Sequence, residues 1–162
     1  MSDFLEEYRA FTAAHGAPER IECMLCDING ILRGKWIPAA SAEKLAAGGV
    51  RLPLSTYAPN ILGEEVQESG LGIVVGDPDG MLVPVPRTLT PVPWSASAAQ
   101  VLVEMTELDG TPSPFSPREV LGAVLSRYDA HGWHPVVATE MEFYVVQKRP
   151  TPDTPPQPPE PN

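Results

Sequence analysis

A chain of 162 residues with 43% hydrophobic and 20% charged side chains can build one ordinary domain, or a small domain and the start of a second, and is too apolar to be disordered in bulk. Its formal net charge of −10 and the lack of a Lys/Arg stripe exclude a reader of phosphate backbones, so no nucleic acid is expected as a partner. No run nears the ~20 apolar residues that span a bilayer, and Asp3, Glu6 and Glu7 stand where a secretory signal would be basic; no membrane partner and a cytoplasmic location are expected.

The first segment, Asp3 to His15, predicts an amphipathic helix with Phe4, Leu5, Tyr8 and Phe11 on one stripe and Gly16 placed to end it. Residues 20–28 and 31–37 read as strands joined through Asn29-Gly30, a pair that accepts the positive φ of a two-residue type I′ turn. Cys23 and Cys26 have CxxC spacing, but on a strand positions three apart face opposite ways, and two thiols do not complete a four-ligand zinc site. Two unpaired, reduced cysteines are therefore expected. Arg33 and Lys35 read as a solvated hairpin edge.

Residues 41–47 predict a short helix stopped by Gly48-Gly49, and residues 50–54 and 72–76 predict strands. Asp77-Pro78-Asp79-Gly80 reads as a turn, its aspartates turn formers rather than ligands, and residues 81–85 as the returning strand. After a proline-rich crossing over residues 84–93, Trp94 reads as an anchor packed at the crossing and residues 100–105 as a further strand. Together these elements describe a small mixed sheet with one or two helices, an α+β unit.

A new unit opens at Ser116-Pro117-Arg118-Glu119, where Ser can cap, Pro suits the first helical position and Glu completes a capping box. Val120, Leu121, Val124, Leu125 and Tyr128 are its expected buried face, Gly132 its stop, and residues 135–146 the strand that follows. Seven of the last thirteen residues are proline, so a disordered tail is expected from residue 149 on. Its PxxP spacing, as at Pro156 to Pro159, could dock on a proline-recognition domain, though an interrupted loop is the plainer reading.

The sharpest candidate for chemistry is Glu140-Met141-Glu142-Phe143-Tyr144. Period-two geometry would put Glu140 and Glu142 on one face of an otherwise apolar strand, where paired carboxylates suit hard divalent cations such as Mg²⁺ or Mn²⁺. Taken alone, a solvated acidic face explains the same spacing.

Several segments occur in an order that resembles the glutamine synthetase superfamily over roughly residues 20–147: Asp27-Ile28-Asn29-Gly30 with Arg33-Gly34-Lys35, Gly70-Leu71-Gly72, Gly76-Asp77, Pro84-Val85-Pro86, Pro93-Trp94, Ser116 to Leu121, and Glu140 to Tyr144. Within it, Leu52-Pro53, Glu68 to Gly72 and Glu140 to Tyr144 are most similar to the gamma-glutamylputrescine and gamma-glutamylpolyamine synthetase branch. The resemblance implies an N-terminal helix (residues 1–16), a β-grasp domain (17–112), the first helix and strand of a truncated catalytic domain (113–148) and a proline-rich tail (149–162). It also implies an ATP-dependent ligase that phosphorylates the glutamate side chain and lets an amine displace the phosphate, with Glu140 ligating the divalent ion toward the ATP phosphates and Glu142 the ion toward the glutamyl group.

Glutamine synthetase proper carries Asp-Gly-Ser-Ser where this chain reads Arg51-Leu52-Pro53-Leu54-Ser55-Thr56, and the missing Asp is the residue that helps bind ammonium across a subunit boundary. The resemblance therefore favours putrescine or another polyamine, with Leu54 and Ser55 bordering it and a ring-shaped homo-oligomer as the assembly. The chain by itself is expected to be inactive. Two alternatives stay open: a free-standing, non-catalytic β-grasp module for binding or assembly, and a glutamine synthetase that uses ammonia.

Overall fold

The computed structural model describes residues 3–160. Helix α1 (Asp3–His15) ends as its sequence dictates: Gly16 takes φ +84° and its amide donates to the Thr12 carbonyl. Strands β1 (Arg20–Cys26) and β2 (Leu32–Pro38) pair antiparallel, helix α2 (Ala42–Ala46) follows, and β3 (Arg51–Pro53), β4 (Asp79–Pro84), β5 (Thr90–Val92) and β6 (Ser95–Thr106) complete the sheet. The order is β2-β1-β6-β4-β3, with β5 also on β6. Only the central β1·β6 pair is parallel, matching Ile21 with Ala99, Cys23 with Val101 and Leu25 with Val103.

Those pairs explain the core. On β1 the residues alternate between half-buried and buried, so Ile21, Cys23 and Leu25 share one face with Ala99, Val101, Val103 and Met105 of β6. Phe4 of α1, Leu45 of α2, and Leu54, Tyr57 and Leu82 cover that face. Each such side chain contributes about 1.5–3 kcal/mol of transfer free energy. Cys26 lies on the other face, so the CxxC pair is split and both thiols are free. Burial pushes the Cys23 thiol up to about 11, leaving it protonated at neutral pH.

Several expectations need correction. The β1–β2 hairpin is real, but five residues separate its strands, and Asn29 does not take a positive φ. The cause is Asp27, whose buried carboxylate accepts from the Asn29 and Ile31 amides at 2.8 Å each and from Arg33 Nε at 2.5 Å. A wider loop satisfies that buried charge, and Arg33 is its partner rather than a solvated edge residue. Residues 73–75 form a 3₁₀ turn instead of a strand; Gly72 and Gly76 take positive φ at its ends, and Ile73, Val74 and Val75 are exposed.

Asp77 holds φ +42°, as a turn former can, but Asp79 already belongs to β4 and pairs with Pro53. β6 is longer than residues 100–105, because the proline-rich crossing supplies β5 to hold its first half. Trp94 anchors nothing; it is 81% exposed.

Candidate functional site

The second unit begins where the sheet ends. α3 (Pro117–Ala130) has the expected Ser cap and first-turn Pro117, with the Glu119 amide donating to Ser116 Oγ at 3.3 Å, but the Ser116 amide donates to the Ser113 carbonyl, so Glu119 does not complete a capping box. Ser116 is fully buried, and its hydroxyl donates to Glu104 Oε2 on β6. The same oxygen accepts from Tyr57 Oη at 3.2 Å, Arg118 Nε lies 3.3 Å from Glu104 Oε1, and Tyr57 Oη accepts from the Met105 amide at 2.8 Å. Glu104 thus ties the 3₁₀ turn at residues 54–57, the sheet and the cap of α3 into one polar junction. Burial pushes the Tyr57 hydroxyl up to about 12, so it stays a donor.

Sequence reading missed this junction. The only signal was a lone carboxylate in the run Gln100 to Met105, on the face opposite Val101 and Val103.

Beyond the junction, no residue of α3 is buried: Val120, Leu121, Val124, Leu125 and Tyr128, the expected buried face, are all exposed. Gly132 ends the helix with φ +67° and its amide on the Asp129 carbonyl. An open cleft of about 320 Å³ lies along Val124, Arg127, Tyr128, His131 and Trp133, with the His131 ring stacked on Trp133 at 5.0 Å.

Residues 135–146 pair with no strand. A strand needs a neighbour to take its backbone hydrogen bonds, and the described residues offer none here; Val136 is 98% exposed and Met141, Phe143 and Tyr144 are open to solvent. Glu140 and Glu142 are exposed on this segment. The Gln147 amide donates to the Gln157 carbonyl and Arg149 Nη1 to that of Pro152, so the proline-rich segment folds back as far as it is described; the last of its prolines, Pro161, lies outside the described residues.

The chemistry of Glu140 and Glu142 suits Mg²⁺ or Mn²⁺, which take oxygen ligands. Their number does not suffice: no group of three or more His, Cys, Asp or Glu placed to hold a metal occurs among the described residues. The residues expected at an amine divide. Leu54 is 3% exposed and packed in the core, where a Cβ on Gly80 would meet its Cδ2 at 2.9 Å, so its side chain offers a ligand no surface. Ser55 beside it is half-exposed.

Comparison with known proteins decides the lineage. Residues 114–161, which hold α3, Glu140 and Glu142, match the family described as "Glutamine synthetase, catalytic domain". Gamma-glutamylputrescine synthetase PuuA of Escherichia coli K12 is 37% identical over 149 residues, 91% of this chain and 31% of that protein. The chain belongs to the glutamine synthetase family.

A glutamate–isopropylamine ligase of a Pseudomonas species is 31% identical over 89% of the chain and 30% of its own length. A solved structure titled as a novel glutamine synthase homolog superimposes with a TM-score of 0.58 at 26% identity, over 70% of this chain and 27% of that one. A GmaS/ADP complex gives 0.57 at 23% identity, over 76% and 26%, and shares the fold. The chain thus spans about a third of the length of the curated relatives it matches.

Proposed function

We propose that this chain is the N-terminal part of an ATP-dependent ligase that joins the glutamate side-chain carboxylate to an amine through a gamma-glutamyl phosphate. The family match carries this reading, because it aligns both the sheet unit and residues 114–161. The mixed sheet with its central parallel pair supports a β-grasp domain, and the cap at Ser116 the start of the catalytic domain. Glu140 and Glu142 are proposed as ligands to two divalent ions, whose role would be to neutralise phosphate charge during transfer. Two exposed carboxylates supply only part of such a site, so the remaining ligands and the nucleotide pocket would come from outside this sequence, and a ring-shaped homo-oligomer would bring the sheet unit of one subunit to its neighbour.

Two observations favour putrescine or a related polyamine over ammonia. Residues 51–56 hold no carboxylate, and the relatives with 37% and 31% identity are named for amine substrates. With Leu54 buried, the contact falls to the half-exposed Ser55 and Thr56. Each methylene of the amine that is buried would contribute about 0.8 kcal/mol.

The test is phosphate release from ATP with glutamate and Mg²⁺, in a polypeptide that carries this sequence joined to a complete catalytic domain. Putrescine should show the higher kcat/KM, and Glu140→Gln or Glu142→Gln should each lower kcat by about a hundredfold or more. A preference for ammonium would overturn the amine assignment, and full activity in both variants would overturn the metal assignment.

A further inference from the structure

The two edge strands of the sheet, β2 and β3, line a common cleft of about 500 Å³. Lys35 projects from β2, Arg51 from β3 and Lys44 from α2 between them, while Ile37 and Val50 give the cleft apolar walls. All three cations are exposed, and none forms a salt bridge among the described residues. Three other basic residues, Arg20, Arg33 and Arg118, are each held by a carboxylate. Asp79 of β4 is the one carboxylate lining the cleft.

The cleft is shaped to keep Lys44 in place. The Gly49 amide donates to the Lys44 carbonyl at 2.8 Å, and a Cβ on Gly49 would lie 2.8 Å from Lys44 Cγ. The lysine stem therefore runs directly over the glycine, along the cleft wall, where a larger residue would displace it.

Three cations against one carboxylate make a local excess of positive charge in a chain of net charge −10. Cations gathered in a cleft attract a compact anion that lies within the ~8–10 Å Debye length of all three, whereas the parts of an extended polyanion lying farther off are screened from them and meet the acidic surface around the cleft. Lysine ammoniums act as point charges toward phosphate, and Arg adds a bidentate fork. From this placement we propose a binding site for a small, multiply charged phosphate compound in the cleft between β2 and β3, held by Lys35, Lys44 and Arg51, with Ile37 and Val50 against its organic part.

The probe is pyrophosphate, titrated into the full chain and followed by phosphorus NMR at low and physiological ionic strength. Saturable binding is expected, weakened about tenfold or more in a Lys44→Gln/Arg51→Gln double variant and by added salt. An Arg127→Gln/Lys148→Gln variant, with the same change in net charge elsewhere, should bind as the parent does. Asp79→Asn should tighten binding about threefold by removing the opposing charge. No saturable binding by the parent, equal affinity in the cleft double variant, or an equal loss in the control pair would each overturn the site.

Discussion

In the sheet unit Ile21, Leu25, Leu45, Leu82 and Ala99 are buried to nothing, whereas in α3 not one of fourteen residues is buried, although its apolar stripe is as regular as that of α1. Both stretches carry the sequence pattern of a face that leaves water. What differs is the supply of partners. α1 packs against the covered face of the sheet, while α3 and residues 135–146 meet solvent. Amphipathic periodicity thus states which face needs covering and says nothing of what covers it, and here it is the face next to the proposed metal ligands that stands open.

The sharpest way to break this contrast is truncation of one leucine on each side. Leu25→Ala should lower unfolding free energy by about 2–5 kcal/mol, because it leaves a cavity between β1 and β6, whereas Leu125→Ala, at 39% exposure, should change it by less than about 0.5 kcal/mol. Urea denaturation of both variants measures the difference. Similar losses would mean that α3 is packed after all.

A smaller effect tests the junction between the two regions. Glu104→Ala would leave the buried hydroxyls of Tyr57 and Ser116 without their acceptor, at a cost of about 1–3 kcal/mol. Amide exchange in the first turn of α3 should rise in Glu104→Ala and in Ser116→Ala, with β1 and β6 amides keeping most of their protection. A uniform rise across the sheet would show that Glu104 stabilises the sheet rather than the attachment of α3.

The smallest effect lies within the sheet unit, at Asp27. Burial pushes its carboxyl up, but the Arg33 guanidinium and the amides of Ile31 and Asn29 outweigh that and hold the pKa below its ordinary value. A depressed folded-state pKa gives stability that is fully present above the unfolded value of about 3.9 and is lost as pH falls through the folded one. Thermal midpoints should therefore drop below about pH 4 in the parent, and more gently in Asp27→Asn.

Much of the fold was legible because its signals are local. The bounds of α1, the Ser116 cap and the glycines that end α1 and α3 follow from side chains within a few residues. Signals that depend on distant partners misled. Asn29-Gly30 announced a tight turn, but Asp27 needed Arg33 and two amides, and its loop widened to supply them. Gly72 to Gly76 had the composition of a strand and no neighbour to pair with. At the candidate site the sequence proposes Glu140 and Glu142 through family resemblance, yet the strand expected to carry them is not formed, and Leu54 turns into the core where its 3₁₀ turn aims Tyr57 at Glu104.

Phosphate release by this chain alone, with ATP, Mg²⁺, glutamate and in turn ammonium, putrescine and spermidine, tests most directly the proposal that Glu140 and Glu142 supply only part of a catalytic site. Two exposed carboxylates with no third metal ligand grouped near them among the described residues should give no turnover above a heat-inactivated control with any amine. Amine-dependent turnover above that control would contradict the claim and show that residues 113–160 form a working centre.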